Sequence, residues 1–237
     1  MKNTVKKLLL FGVILFQSSN LFSTSYKNYS PLWHSLDSIT NQTGVERHFA
    51  AVYVWATKAA DDYIATLPDT PKILMTKLQL NFAELFKKGI SDAKVGENND
   101  IWSVYFKEKN LTPVQYKLLG TNDHINGDSW KVLTSSFTRD ELDIVAPYYH
   151  HCTLELFSVI DSLHFHVIKN SKRMKTLHFI SLGTDKLIAR RMLTKWRAKQ
   201  FNLALNYFDN VKMFETEHKK IEAYRKRMQK NIIQLVR

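Results

Sequence analysis

The chain has 237 residues, 44% of them hydrophobic, with seven glycines, five prolines and one cysteine. So few turn-forming residues argue against an all-β sandwich, and the single Cys152 excludes an intramolecular disulfide. The formal net charge of +12 suits anionic partners such as envelope lipids, polysaccharides or nucleic acid. A solvated basic surface on an exported protein is the simpler explanation of that charge.

The first 25 residues have the three-part layout of a secretory signal peptide. Lys2, Lys6 and Lys7 precede the apolar run Leu8–Phe16, and a small polar stretch then ends at Ser25. This apolar run is far shorter than the roughly 20 residues needed to cross a bilayer. Removal of the segment reduces the net charge from +12 to +9. We therefore predict an exported protein, periplasmic or extracellular, without a transmembrane anchor.

Hydrophobic spacing and helix-boundary residues predict an all-α fold, with a single bundle-like domain of about six to eight helices over residues 44–237. Residues 26–43 are predicted to be an extended leader that Trp33 anchors. Thr112 before Pro113, and the capping box Thr138–Glu141, mark two helix starts. The predicted helical segments are 44–67, 74–89, 101–106, 112–135, 138–167 with a bend at Pro147, 183–208 and 211–237.

The clearest apolar stripe of the predicted core lies on the helix that follows Thr138. It contains Cys152, where a free cysteine is expected to act as a small hydrophobic residue rather than as a nucleophile. The stripe consists of Leu142, Val145, Tyr149, Cys152, Leu156, Val159, Leu163 and Val167.

The strongest functional lead is a polar run, Gly120–Asp128, inside the predicted central helix. Each glycine there costs about 1 kcal/mol relative to alanine, and conflicts of this kind are expected at functional sites. On a regular α-helix Asn122 and Asn126 fall within the apolar arc, so they should be buried. His124 and Asp128 fall together on the opposite side, four residues apart, where they can converge on one ligand.

Each of these pairs has a structural and a functional interpretation. Asn122 and Asn126 either bridge neighbouring helices or contact a small polar or anionic ligand. His124 and Asp128 are either an exposed pair or a catalytic pair, in which His124 is a base and Asp128 orients it, or in which both bind zinc or another divalent metal. Glycines at 120 and 127 favour a functional site because they would let a ligand approach the helix backbone.

The run Gly-Thr-Asn-Asp-His-Ile-Asn-Gly-Asp resembles the signature Gly-Ala-Asn-Ala-His-Ile-Asn-x-Asp-Leu of a bacterial domain-of-unknown-function family of helical proteins. Ser129 stands where that signature has leucine. The resemblance implies a helical fold and an important site, and it implies no particular chemistry.

A looser likeness is to the helical zinc-dependent phospholipase C and nuclease group, whose sites use His-x-x-x-Asp and His-x-x-x-Glu pairs. His124 with Asp128 has the first spacing, and His151 with Glu155 has the second. The second pair points away from the core stripe, so a solvated surface pair is predicted there.

Two functional hypotheses of different classes follow. One is a hydrolase-like or lyase-like enzyme with a solvent-reachable cavity at His124, and the other is a non-catalytic binding or structural protein. The basic segments 186–199 and 219–230 contain few aromatic residues, which argues against a nucleic-acid partner and favours solvated charged faces.

Overall fold

The computed structural model describes residues 29–170 and 184–234, and within them all regular secondary structure is helical, which confirms the predicted all-α fold. The described residues form eight helices when segments that follow one another without a break are counted as one helix. The predicted signal peptide lies outside the described residues. The elements are α1 Pro31–Thr40, α2 Glu46–Ala65, α3 Asp69–Lys94, α4 Ser103–Lys107, α5 Pro113–Asp123, a π-helical turn His124–Asp128, α6 Ser129–Ser136, α7 Arg139–Glu155, α8 Phe157–Asn170, α9 Thr184–Asp209 and α10 Val211–Gln234.

The segment predicted to be an extended leader is instead helical over Pro31–Thr40. A proline is tolerated in the first turn of a helix, and the apolar residues that follow it have helical spacing. Trp33 is buried, as expected of an anchor, together with Leu32, Leu36 and Ile39. Because this face packs against α2, the compact unit begins at Pro31 and not at residue 44.

The predicted helix boundaries hold where a local cap sets them. The expected N-cap at Thr112 and the expected capping box at Thr138 both form, with each threonine side chain accepting from the backbone nitrogen three residues on. Gln115 completes a capping box at Thr112 that was not predicted. The end predicted at Gly89 is wrong, because α3 continues to Lys94. A β-carbon at Gly89 would lie 2.7 Å from Cγ of Trp102, so this glycine permits close packing rather than ending the helix.

The central helix consists of α5, the π-helical turn and α6. It is packed against α2, α3, α9 and α10, and every residue from Leu119 to Ser129 is buried. On the predicted core stripe, Cys152 is buried as expected, whereas Leu156 and Val159 are half-buried. None of the described helices is long and apolar enough to span a membrane.

Candidate functional site

A single π-helical turn, His124–Asp128, interrupts the central helix in the middle of the polar run. Such turns are rare and occur frequently at functional sites, because the wider turn shifts side chains and loosens the backbone ladder. Gln200 of α9, which is fully buried, donates to the carbonyl oxygen of Asn126 at 3.2 Å. The side chain of a neighbouring helix thus supports a backbone group within the turn.

The two glycines of the run are required by contacts inside the protein. A β-carbon at Gly120 would lie 2.5 Å from Cγ of Phe49, and one at Gly127 would lie 2.6 Å from a methyl carbon of Ile101. The groups that approach the helix backbone are therefore core side chains. The expectation that these glycines make room for a ligand is wrong.

Asn122 and Asn126 are buried, as predicted, and are joined to each other. The Asn126 amide donates to Oδ1 of Asn122 at 3.1 Å, and the Asn122 amide donates to the Arg225 carbonyl oxygen at 3.3 Å. Neither residue lines the cavity described below. Their contacts match the structural interpretation, in which these amides bridge the central helix to α10.

A buried ion pair between Asp123 and Arg225 was not predicted from the sequence. Nη1 of Arg225 lies 3.2 Å from Oδ1 of Asp123, which also accepts from Gln229 at 2.7 Å. Burial raises the pKa of Asp123 to about 7, although Arg225 and Gln229 favour its charged form. The prediction that the basic segment 219–230 forms a solvated face is wrong for Arg225. This side chain is buried and also donates to the carbonyl oxygens of Asp100 and Ile101.

The structure brings His124 and Asp128 together, but in the core rather than on an open side of the helix. Nδ1 of His124 lies 3.5 Å from Oδ2 of Asp128, and the two residues are 6% and 2% exposed. The same carboxylate oxygen accepts from Nε1 of Trp102 at 3.0 Å. The prediction that this pair lies away from the core is wrong, because other helices cover the side of the central helix opposite its apolar arc.

Aromatic rings surround the His124 imidazole. The imidazole stacks on the Phe82 ring with the two centroids 3.7 Å apart, and the centroid of the Tyr53 ring lies 4.4 Å from that of the imidazole. Burial lowers the pKa of His124 despite the neighbouring carboxylate, so the imidazole is neutral at pH 7. Burial likewise raises the pKa of Asp128, against the opposing effects of His124 and Trp102.

A cavity of about 110 Å³ lies beside His124, between α2, α3, the central helix, α7, α8 and α9. Its lining is mainly apolar, but several lining residues carry buried polar atoms that make no hydrogen bond of good geometry among the described residues: the Tyr53, Ser129 and Tyr149 hydroxyls, Thr57 Oγ1 and both ring nitrogens of His124. Buried polar groups are normally paired with protein or ordered water, so this cluster makes the cavity the candidate site.

The side of the cavity nearest to solvent lies between α2 and α8. The lining residues there are half-buried, whereas those from α6 are fully buried. The half-buried lining residues on this side are Val52, Ala56, Ala60, Leu156, Val159 and Ile160. The structure therefore has a space beside His124 that half-buried residues border on this side.

The other predicted pair behaves as a surface pair. Nε2 of His151 lies 3.3 Å from Oε1 of Glu155, with both side chains about half exposed. Within the described ranges, no third histidine, cysteine, aspartate or glutamate joins His124 and Asp128 in a group that could hold a metal ion.

The family model of DUF5995, a family of unknown function, matches residues 33–237, so the chain belongs to this family. The match covers the whole helical unit apart from its first two residues. No curated protein and no solved structure matched the chain.

Proposed function

We propose that this family member is an exported binding protein that takes up a small, mainly apolar ligand in the cavity beside His124. The observation that carries the proposal is that Tyr53, Thr57 and His124 line one mainly apolar cavity and carry polar atoms without a hydrogen-bond partner among the described residues. An unpaired buried polar group costs about 1 to 3 kcal/mol. A ligand that offers one or two polar atoms would remove part of this cost.

The remaining geometry supports binding over a purely structural role for the run. Asn122, Asn126 and Asp123 hold the central helix to α10, and their interactions are made within the protein. His124, unlike these three residues, lines the cavity, and its Nε2 has no hydrogen-bond partner among the described residues. Ligand pockets are typically apolar spaces with a few well-placed polar groups, which is the composition of this cavity.

Thermal-shift and calorimetric titrations with hexanol and phenol test the proposal. We expect saturable binding to the wild-type chain and its loss in Ala56→Leu, which places a larger side chain on the cavity wall. Ala65→Leu is the matched control, because Ala65 is exposed on the same helix and does not line the cavity. If neither probe binds saturably, or if Ala56→Leu binds as well as the control, the proposal is wrong.

A second candidate function is acid–base catalysis, which the His124–Asp128 geometry favours. The neutral imidazole places its unpaired Nε2 at a cavity, while Asp128 lies 3.5 Å from its other nitrogen, the arrangement expected of a general base. Hydrolysis of p-nitrophenyl acetate that His124→Gln and Asp128→Asn both abolish, in folded protein, would favour the enzyme. Elemental analysis of the native protein and of His124→Gln tests whether this catalysis depends on a metal. Zinc that is present in the native protein and absent from the variant would support a metal-dependent enzyme.

A further inference from the structure

A buried arginine, Arg197 of α9, lines the same cavity. It is 6% exposed, and its Nε donates to Oγ1 of Thr153 at 2.8 Å. Nη2 reaches the carbonyl oxygen of Tyr149 at 3.4 Å, and the guanidinium carbon lies 4.1 Å from the centroid of the Tyr149 ring. All of these partners are uncharged.

The charge of Arg197 has no carboxylate partner among the described residues, in contrast with the other buried arginine. Arg225 is paired with both Asp123 and Glu222. The unpaired charge of Arg197 acts on its surroundings: burial raises the pKa of Tyr149, and the guanidinium opposes that shift. Buried charges are normally paired and hydrogen-bonded, and among the described residues Arg197 has hydrogen-bond partners but no negative one.

We infer that the cavity binds a small apolar carboxylate whose head group pairs with Arg197, an inference that rests on the proposed binding function. The guanidinium fork matches a carboxylate, and Nη1 makes no hydrogen bond within the described part of the chain. The hydroxyls of Ser129 and Tyr149 line the same cavity as further donors. Thr153 and the Tyr149 carbonyl fix the orientation of the fork.

The size of the cavity limits the apolar part of this carboxylate. An engineered cavity of about 150 Å³ binds benzene, and the space here is about 110 Å³. Because this space is the smaller of the two, a phenyl ring or a chain of about six carbons is an upper limit on the size of the apolar group. Benzoate and hexanoate have the required combination of a small hydrocarbon part and one charged head group.

Isothermal titration calorimetry of the full chain with benzoate and with benzyl alcohol tests the inference. Benzyl alcohol has a similar shape without the charge, so we expect benzoate to bind at least about tenfold more tightly to the wild type. Arg197→Met should remove this preference. Lys195→Met is the matched control, because Lys195 is an exposed cation on the same helix, and it should retain the preference.

The outcomes separate this inference from the proposed function. Equal binding of the two probes to the wild type would overturn the carboxylate inference and leave the binding function standing, whereas no saturable binding of either would overturn both. Unchanged benzoate affinity in Arg197→Met would also overturn the inference. If Arg197→Met does not fold, Arg197→Lys replaces it in the test. Weaker binding of benzoate with unchanged binding of benzyl alcohol would support the inference, and an equal loss of affinity for both probes would contradict it.

Discussion

At Gly120, helix propensity and packing predict opposite effects of a substitution by alanine. Propensity favours alanine over glycine in a helix by about 0.8 to 1.0 kcal/mol. In the structure, the new β-carbon would lie 2.5 Å from Cγ and 2.6 Å from Cβ of Phe49. Phe49 is 3% exposed and packs against the rings of Phe86 and Trp102, so any movement of its ring would disturb these contacts.

Overpacking of a tight core costs about 1 to 3 kcal/mol, and such close contacts favour the upper part of that range. After the gain in propensity, Gly120→Ala should lower the free energy of unfolding by about 1 to 2 kcal/mol. Urea denaturation followed by circular dichroism measures this change. Ser135→Ala, at an exposed position of the same central helix, should change stability by less than about 0.5 kcal/mol.

A double-mutant cycle with Phe49→Ala tests the assigned cause. Removing the ring removes two of the three closest contacts of the new β-carbon, so Gly120→Ala should cost less in that background. An equal cost with and without the ring would show that the contacts with the ring are not the cause, since Cβ of residue 49, at 2.6 Å, remains in the alanine variant. A Gly120→Ala variant more stable than the wild type would show that propensity dominates and that α2 can move away.

Two further predictions concern export and acid sensitivity. N-terminal sequencing of protein recovered from the envelope or medium should begin near Tyr26, and an intact Met1 there would contradict the predicted signal peptide. Burial lowers the pKa of His124 below its usual 6.5, so below that pH the unfolded chain binds more protons than the folded chain. The neutral, buried His124 therefore contributes fully to stability above pH 6.5, and this contribution is lost as the pH falls through the lowered pKa. As the pH falls below 6.5, the melting temperature of the wild type should therefore fall more steeply than that of His124→Gln, and equal slopes would contradict this assignment.

The helices were predictable because their signals are local. The N-cap at Thr112 and the capping box at Thr138 form as expected, and Asn122 and Asn126 are buried as their position on the apolar arc predicts. A helix cap is formed by residues three positions apart, and an apolar stripe is recognised from residues one helical turn apart. Both can be read without knowledge of the tertiary structure.

The environment of His124 was not predictable by the same means. The helical-wheel argument assumed a regular α-helix with one side open to solvent, whereas a π-helical turn lies in the run and other helices enclose it. Asp123 and its partner Arg225 are 102 residues apart in sequence. Periodicity around Lys219–Lys230 gives no sign that one cation of that basic segment turns inward, so only the three-dimensional structure separates Arg225 from its solvated neighbours.

Tyr53 offers a direct test of whether the unpaired polar atoms serve a ligand rather than the fold. Its hydroxyl is buried at the cavity without a partner in the described residues, whereas the Tyr116 hydroxyl donates to the Glu108 carbonyl oxygen at 2.8 Å. Removing a hydroxyl that makes a hydrogen bond costs about 1 kcal/mol, but removing one that makes none should cost nothing or increase stability. We therefore expect Tyr116→Phe to lower the free energy of unfolding of the ligand-free protein, and Tyr53→Phe to leave it unchanged or raise it. If Tyr53→Phe is as destabilising as Tyr116→Phe, the hydroxyl contributes to the fold, and the strongest argument for a ligand at this cavity is lost.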